Sequence, residues 1–378
     1  MDYSKFFSDD VPSFMRSPVR EIFRKVDLAS IYSFAGGYPD AATFPLDDIR
    51  KLCGEVIGRY GAKAFQYGAT QGVPELREAI SRRSGVPVDH VQVSSSSQQG
   101  IDVCARVSLN PGDVVLTTDP AYLGALQSFR SYRADIRPLG EAASCGGRAK
   151  FIYIVPDFCN PTGETLTLEE RRSLVETARR ENLLIVEDSP YRDLRYEGAD
   201  VPTIYSLAPE RTLHLGSFSK IFAPGFRLGW IVADPQLLEQ IYICKQALDL
   251  CPPVFDQYLA AAFMEGGALE RNLARSRELY RGKRDRLLAL LEEYMPSGVR
   301  WNRPQGGLFV WLTLPPEVDT VAMYDTALAE GVAYVAGSFF HIDGGHRNTM
   351  RLNFSFLDKD RMEEGVRRLS GIIAKQIG

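Results

Sequence analysis

A lysine placed seven residues before an arginine, among small hydroxylic residues, is the part of this sequence best equipped for chemistry. The stretch is Gly216-Ser217-Phe218-Ser219-Lys220-Ile221-Phe222-Ala223-Pro224-Gly225-Phe226-Arg227. It joins two apolar segments, Thr212 to Leu215 and Leu228 to Val232, each of which reads as a β-strand. An ammonium in a confined, cationic place loses part of its preference for the charged form, so the free amine needed for imine chemistry becomes available. Ser217, Ser219 and Arg227 add hydroxyl donors and a fixed positive charge, which suit a phosphate dianion. The plainer alternative is a strand-flanking lysine followed by a loop arginine.

Other stretches could serve the same ligand. Ser94 to Gly100 carries four serines and two glutamines between a strand at Val91 to Val93 and a helix expected over Ile101 to Leu109. Such a junction presents free N–H groups at the positive end of a helix dipole, a ready phosphate site. Alone the signal is weak; beside Lys220 it becomes useful. Phe34-Ala35-Gly36-Gly37-Tyr38-Pro39 is a turn where backbone could approach a ligand closely, and a turn without function reads the same way. Asp188, Asn160 and Lys220 each fall just after a strand candidate. Asp188 read plainly is a solvated acid at the end of a strand.

Ser-x-Ser-Lys followed by Pro-Gly-x-Arg resembles the cofactor-lysine motif of fold-type I enzymes that use pyridoxal 5′-phosphate. The spacing, with Ala-Pro-Gly between lysine and arginine, is similar to that of the 2-aminoadipate/kynurenine aminotransferase group among the class I/II aminotransferases. It is shared by the aminotransferase-like domain of MocR-type transcription regulators. The resemblance runs from about Ser17 to the C-terminal helix. It implies that Lys220 holds the cofactor and moves a proton from the substrate Cα. It places Asp188 on the pyridine nitrogen, where a carboxylate keeps the ring protonated and electron-withdrawing. Tyr191 and Asn160, the latter in the signature Asn160-Pro161-Thr162-Gly163, go to the phenolic oxygen. Tyr122 in Asp119-Pro120-Ala121-Tyr122 goes to the ring face, though a core tyrosine reads nearly as well.

The same resemblance assigns Ser96, Ser97 and Gln98 to the phosphate turn, with Ser96 where a glycine is usual. A side chain there could crowd the phosphate or add a hydroxyl donor. Tyr67 resembles a tyrosine that reaches the phosphate of a neighbouring subunit, which implies a two-fold homodimer with a shared active site. Arg351 resembles the arginine that clamps the substrate α-carboxylate, with Gly37 and Asn160 beside the substrate. Arg20 corresponds to a first-helix arginine that can meet an acidic side chain.

These residues need a scaffold with strand ends aimed at one place. Short apolar runs at Val114 to Thr117, Phe151 to Val155, Leu183 to Val186, Leu213 to Leu215 and Trp230 to Val232 alternate with helical stretches. One of these, Leu168 to Asn182, opens with a Thr167-x-x-Glu170 capping box. The pattern predicts an α/β fold with a mainly parallel sheet between helices, and a ligand beyond the strands' carboxyl ends. A long charged helix over 268–294 then leads to a smaller α+β domain: strand Leu308 to Leu314, helix Val321 to Glu330, strands Val332 to Val335 and Met350 to Phe356, helix Asp358 to Ala374. The expected division is an N-terminal segment 1–45 joining the small domain, a large domain 46–267, the linking helix, and the small domain 295–378.

The chain has 378 residues, ample for a large core, and its net charge of −4 gives no electrostatic reason to expect nucleic acid or an anionic membrane. Six cysteines show no metal-ligand spacing, so no metal is expected, and buried thiols in a reducing cytoplasm are the default. No apolar run reaches transmembrane length and the N-terminus lacks the build of a signal peptide. The expected activity is transfer of an amino group between an L-amino acid and a 2-oxo acid, with glutamate and 2-oxoglutarate as one pair. The alternatives are a lyase or decarboxylase using the same cofactor, and a non-catalytic sensing domain. Against the last stand the acidic charge and the roughly sixteen residues before Ser17, fewer than a MocR-type DNA-binding domain needs.

Overall fold

Short, mostly apolar runs of four to six residues, too short for helices, form most strands of one central sheet. The structure, a computed structural model, describes residues 1–8, 11 and 30–377; the helix expected from Ser17, with Arg20, lies outside them. A short strand β1 (Tyr32–Ser33) and helices α1 (Leu46–Tyr60) and α2 (Pro74–Ser84) come first. The sheet then takes β2 (Val91–Ser94), β3 (Val114–Thr117), β4 (Asp135–Pro138), β5 (Ala149–Ile154), β6 (Leu184–Asp188), β7 (Thr212–Ser217) and β8 (Gly229–Val232). Its spatial order is β2-β8-β7-β6-β5-β3-β4, with β8 antiparallel to both neighbours and the other pairings parallel.

Alternate residues of these strands feed two cores. Val115, Phe151, Tyr153, Val186 and Leu213 pack on the side of α3 (Ser96–Ser108) and α4 (Leu123–Ser131). Val114, Leu116, Ile152, Ile154 and Ile185 pack on the other side with Leu174 and Val175 of α5 (Leu168–Arg180). Burial on both faces is why these strands read as continuous apolar runs. The capping box of α5 is present: Glu170 N donates to Thr167 Oγ1 and Thr167 N to Glu170 Oε2.

Helices α6 (Pro235–Asp249) and α7 (Val254–Glu265) lead to α8 (Ala268–Tyr294), a single helix of 27 residues. Beyond it lie β9 (Arg300–Trp301), β10 (Phe309–Thr313), α9 (Tyr324–Ala329), β11 (Val332–Ala333), β12 (Val335–Ala336), β13 (Thr349–Asn353) and α10 (Lys359–Ile377). A four-stranded antiparallel sheet has the order β12-β13-β10-β9, and β1 pairs in parallel with β11. The early segment is thereby sewn to the late one, Tyr32 to Val332 and Ser33 to Ala333.

Four local expectations need correction. The helix expected over Ile101 to Leu109 begins earlier, at Ser96, and takes Ser97 and Gln98 into its first turn. The expected strand Val332 to Val335 is two strands serving two sheets, divided at Tyr334, whose hydroxyl donates to Thr320 O at 2.6 Å. The helix expected from Val321 starts at Tyr324, because Asp319 Oδ1 takes the N–H groups of Val321 and Ala322 into a turn. Strand β4 was not foreseen: its sequence, Asp-Ile-Arg-Pro, is polar and half-buried, as befits an edge. Among the described residues no helix is long and apolar enough to cross a membrane.

Candidate active site

The carboxyl ends of the parallel strands open into a cleft of about 880 Å³. Strand β6 contributes its last residue, Asp188, and β7 its last, Ser217; the turn that follows carries Ser219 and Lys220. Asn160 comes from the loop after β5, Tyr122 from the loop after β3, and Ser96, Ser97 and Gln98 from the first turn of α3. Tyr191 and Arg227 line the same space, Arg351 enters from β13, and Gly37 from the segment after β1. The structure thus brings these sequence-predicted residues together from the seven-stranded sheet, the four-stranded sheet and the segment after β1. Tyr67 does not join them: it lies 79% exposed on the surface.

Lys220 is half-buried, and its Nζ donates to Gly37 O at 2.8 Å. Burial, then the charges of Arg227 and Arg351, bring its amine down to about 8. That places an appreciable free-amine population near neutral pH, which a nucleophile or proton carrier needs.

Asp188 is 2% exposed, and burial pushes its carboxyl up to about 6 against the opposing effects of Tyr153 and His214. Its Oδ2 accepts from Tyr153 Oη at 2.8 Å, while its buried Oδ1 has no partner. An unpartnered carboxylate oxygen in a low-dielectric place is costly unless a ligand cation or N–H meets it. Tyr191 is also buried, which raises its pKa, so it remains a phenol able to donate.

The phosphate turn has an unusual backbone. Ser96 is 3% exposed with φ of 72°, in the left-handed region that favours glycine. Its Oγ accepts from Arg227 Nη2 at 2.7 Å, which leaves the hydroxyl proton free to donate. Strand β8 packs directly beneath: a Cβ on Gly229 would lie 2.7 Å from Ser96 C and 2.8 Å from Ser97 N, so only glycine admits the turn so close. Ser219 N donates to Ser217 Oγ at 3.2 Å. The ring of Tyr122 is held by its hydroxyl, which donates to Gln98 Oε1 at 3.2 Å.

Arg351 is 3% exposed and lies between the rings of Phe309 and Phe340, 4.4 and 5.0 Å from their centroids. Burial lowers its pKa to about 10, so it keeps its charge at neutral pH. Its Nη1 donates to Asn160 Oδ1 at 2.6 Å and its Nη2 to Ala35 O; its Nε, also buried, has no partner. Because the Asn160 carbonyl is engaged, the amide nitrogen is the group left to donate toward a ligand. Phe309, Phe340 and Tyr153 escaped the sequence reading, since each reads as an ordinary core aromatic.

The donor set fits pyridoxal 5′-phosphate. Asp188 Oδ1 can take the ring N–H, and Tyr191 and Asn160 are donors for the ring oxygen. The serine hydroxyls, Arg227 and the positive end of α3 suit the phosphate, and Lys220 supplies an amine for the aldehyde.

Comparison with known proteins agrees. The profile of the family "Aminotransferase class I and II" matches residues 35–369. Aromatic-amino-acid aminotransferase 1 of Thermococcus litoralis is 39% identical, over 100% of this chain and 96% of its own length. The Pyrococcus horikoshii kynurenine aminotransferase, solved with PMP, superposes with a TM-score of 0.95 at 40% identity, covering 100% of this chain and 99% of that one. LysN, the α-aminoadipate aminotransferase of Thermus thermophilus, solved with N-(5′-phosphopyridoxyl)-L-leucine, gives 0.93 at 33% identity, with coverage of 100% and 99%.

Proposed function

The chain belongs to the class I and II aminotransferase family, and we propose below which of its residues carry the reaction and on which substrates. It is a pyridoxal-phosphate-dependent enzyme that moves an amino group between an amino acid and a 2-oxo acid. The observation that supports the residue assignment best is a single cleft lined by Lys220, whose Nζ reaches Gly37 O, and by Asp188, whose buried Oδ1 has no partner.

When bound, pyridoxal phosphate supplies an aldehyde for exchange with the substrate amine and a ring that takes up the electron pair freed at Cα. Ser96, Ser97, Ser217, Ser219 and Arg227 would hold the phosphate. Tyr122 would face the ring, and Asp188 would keep the ring nitrogen protonated. Asn160 and Tyr191 would donate to the ring oxygen. Arg351 grips the substrate α-carboxylate, which orients the Cα–H bond toward Lys220. Lys220 Nζ takes that proton and returns one later in the cycle. Gly37 O, which accepts from Lys220 Nζ, marks the substrate side of the cleft.

Glutamate and 2-oxoglutarate form one substrate pair in this reading. The other amino acid has a large, aromatic or long side chain, as the names of the relatives suggest; the exposed ring of Tyr38 at the cleft favours this. The working unit is a homodimer. Exposed Phe65 stacks on Phe255 near exposed Tyr67, an apolar face that a second copy would cover while bringing Tyr67 to its phosphate. Residues 46–267 and 295–378 act as large and small domains, with 1–45 joining the small one and 268–294 linking them. Six free cysteines suit a reducing cytoplasm. Replacing Lys220→Ala tests the core of this reading: turnover should fall about a thousandfold or more while cofactor affinity is partly kept, and near-wild-type turnover would sink it.

A further inference from the structure

We propose that Tyr153 is a positioning residue that keeps the proton shared by Asp188 and the cofactor's ring nitrogen on the ring. This rests on the reading above that Asp188 faces that nitrogen. Tyr153 stands on β5 and pairs in register with Val186 of β6. Side chains two apart share a face, so Tyr153, Val186 and Asp188 lie on one side of the sheet, with Asp188 nearer the cleft. Phe129 of α4 packs edge-on against the Tyr153 ring, at 5.4 Å and 71°. The ring is 1% exposed and its hydroxyl ends 2.8 Å from Asp188 Oδ2. Oδ1 is left without a partner in a residue that lines the cleft.

The division of labour between the two oxygens sets the chemistry. One proton lies between Oδ1 and the ring nitrogen, giving either a neutral acid beside pyridine or a carboxylate beside pyridinium. A hydrogen bond donated to Oδ2 stabilises the carboxylate more than the neutral acid, so it moves the proton toward nitrogen. Without it, a buried carboxylate prefers the neutral form. Burial raises the Tyr153 phenol well above its usual range, so it donates throughout the working pH range. The other groups acting on this carboxylate are Cys104 of α3, Cys159 in the loop after β5, Tyr191, which remains a neutral phenol, and His214 of β7. Burial raises both thiols far above neutrality, so neither carries charge there. His214 helps the carboxylate, but the hydroxyl bond precedes it in effect.

The test uses full-length protein reconstituted with pyridoxal 5′-phosphate labelled with ¹⁵N in the ring. Wild type should show a pyridinium resonance. Tyr153→Phe keeps the ring packed on Phe129, and its ¹⁵N resonance should move toward neutral pyridine with about tenfold weaker cofactor binding. Fluorinated tyrosines at position 153, which donate more strongly in the same shape, should hold the proton at least as firmly as wild type. A merely structural Tyr153 would lower the melting temperature of Tyr153→Phe and leave the resonance unmoved, which would overturn the proposal. If Tyr153→Phe fails to fold, the fluorotyrosine series decides alone, since a resonance that moves toward neutral pyridine as donor strength rises also overturns it. A neutral-pyridine resonance in wild type would instead contradict the role given to Asp188.

Discussion

Arg227 Nη2 donates to Ser96 Oγ at 2.7 Å, and both residues hold a left-handed backbone, with φ of 52° and 72°. A serine in that region carries strain of about 1 kcal/mol that glycine would not. The bond that the Ser96 hydroxyl accepts from Arg227 offsets it and ties the first turn of α3 to the loop before β8. Ser96→Gly loses the bond and the strain together, so thermal unfolding of apoprotein should show it within about 1 kcal/mol of wild type. Ser96→Ala keeps the strain and loses the bond, and should be destabilised by about 1–2 kcal/mol. Equal stability of Ser96→Ala and wild type would mean the guanidinium contact contributes nothing.

Asp188 carries a pH signature in the apoprotein. Its folded-state carboxyl is raised to about 6 from 3.8, so the folded chain binds more protons than the unfolded chain between those values. Stability from this group therefore falls as pH rises from about 4 to about 6. Asp188→Asn removes the penalty: the variant apoprotein should exceed wild type in stability above pH 6, with the gain vanishing below pH 4. Cofactor affinity should fall in the same variant, because the ring nitrogen loses its carboxylate. Denaturant titrations across pH check the first outcome and absorbance titrations with pyridoxal phosphate the second.

Lys220 predicts a slope of its own at alkaline pH. Its amine is lowered from 10.5 to about 8, so the unfolded chain binds more protons in that window and wild-type apoprotein gains stability as pH rises through it. Lys220→Met should be the more stable apoprotein at pH 7, with the difference shrinking between pH 8 and pH 10.5. A constant difference would show that the amine is not perturbed.

Arg351→Lys keeps a cation and loses the planar fork held between Phe309 and Phe340. Steady-state kinetics should show KM for both the amino acid and the 2-oxo acid rising by about tenfold to a hundredfold, as loss of a charge-assisted pair implies. An unchanged KM for both substrates would remove Arg351 from carboxylate binding.

Much of the scaffold was legible because its determinants are local. The strands at β3, β5, β6 and β7 are apolar runs buried on both faces, and residues just past such runs must emerge at the carboxyl edge. That logic reached Asn160, Asp188 and Lys220. What escaped depends on register and on distant contacts. Tyr153 differs from a core aromatic only through its pairing with Val186, which brings its hydroxyl to Asp188. Phe309 and Phe340 flank Arg351 through strand pairing and a loop, and no spacing announces that. His341 Nδ1 meets Asp119 Oδ1 at 2.9 Å across 222 positions, which ties the loop after β12 to the one carrying Tyr122. The glycine usual at position 96 pointed to an unusual backbone there, but the close approach of Gly229 that accompanies the positive φ of Ser96 is a tertiary fact.

The most direct measurement of the central claim is a half-reaction. Holoenzyme is mixed with single amino acids in the absence of any 2-oxo acid, and the cofactor's visible absorbance and the released product are followed together. The account predicts stoichiometric loss of the aldehyde-form absorbance, one 2-oxo acid per active site, and full recovery of the band on adding 2-oxoglutarate. Continuous product release with the band retained would contradict amino-group transfer as the reaction of this cleft.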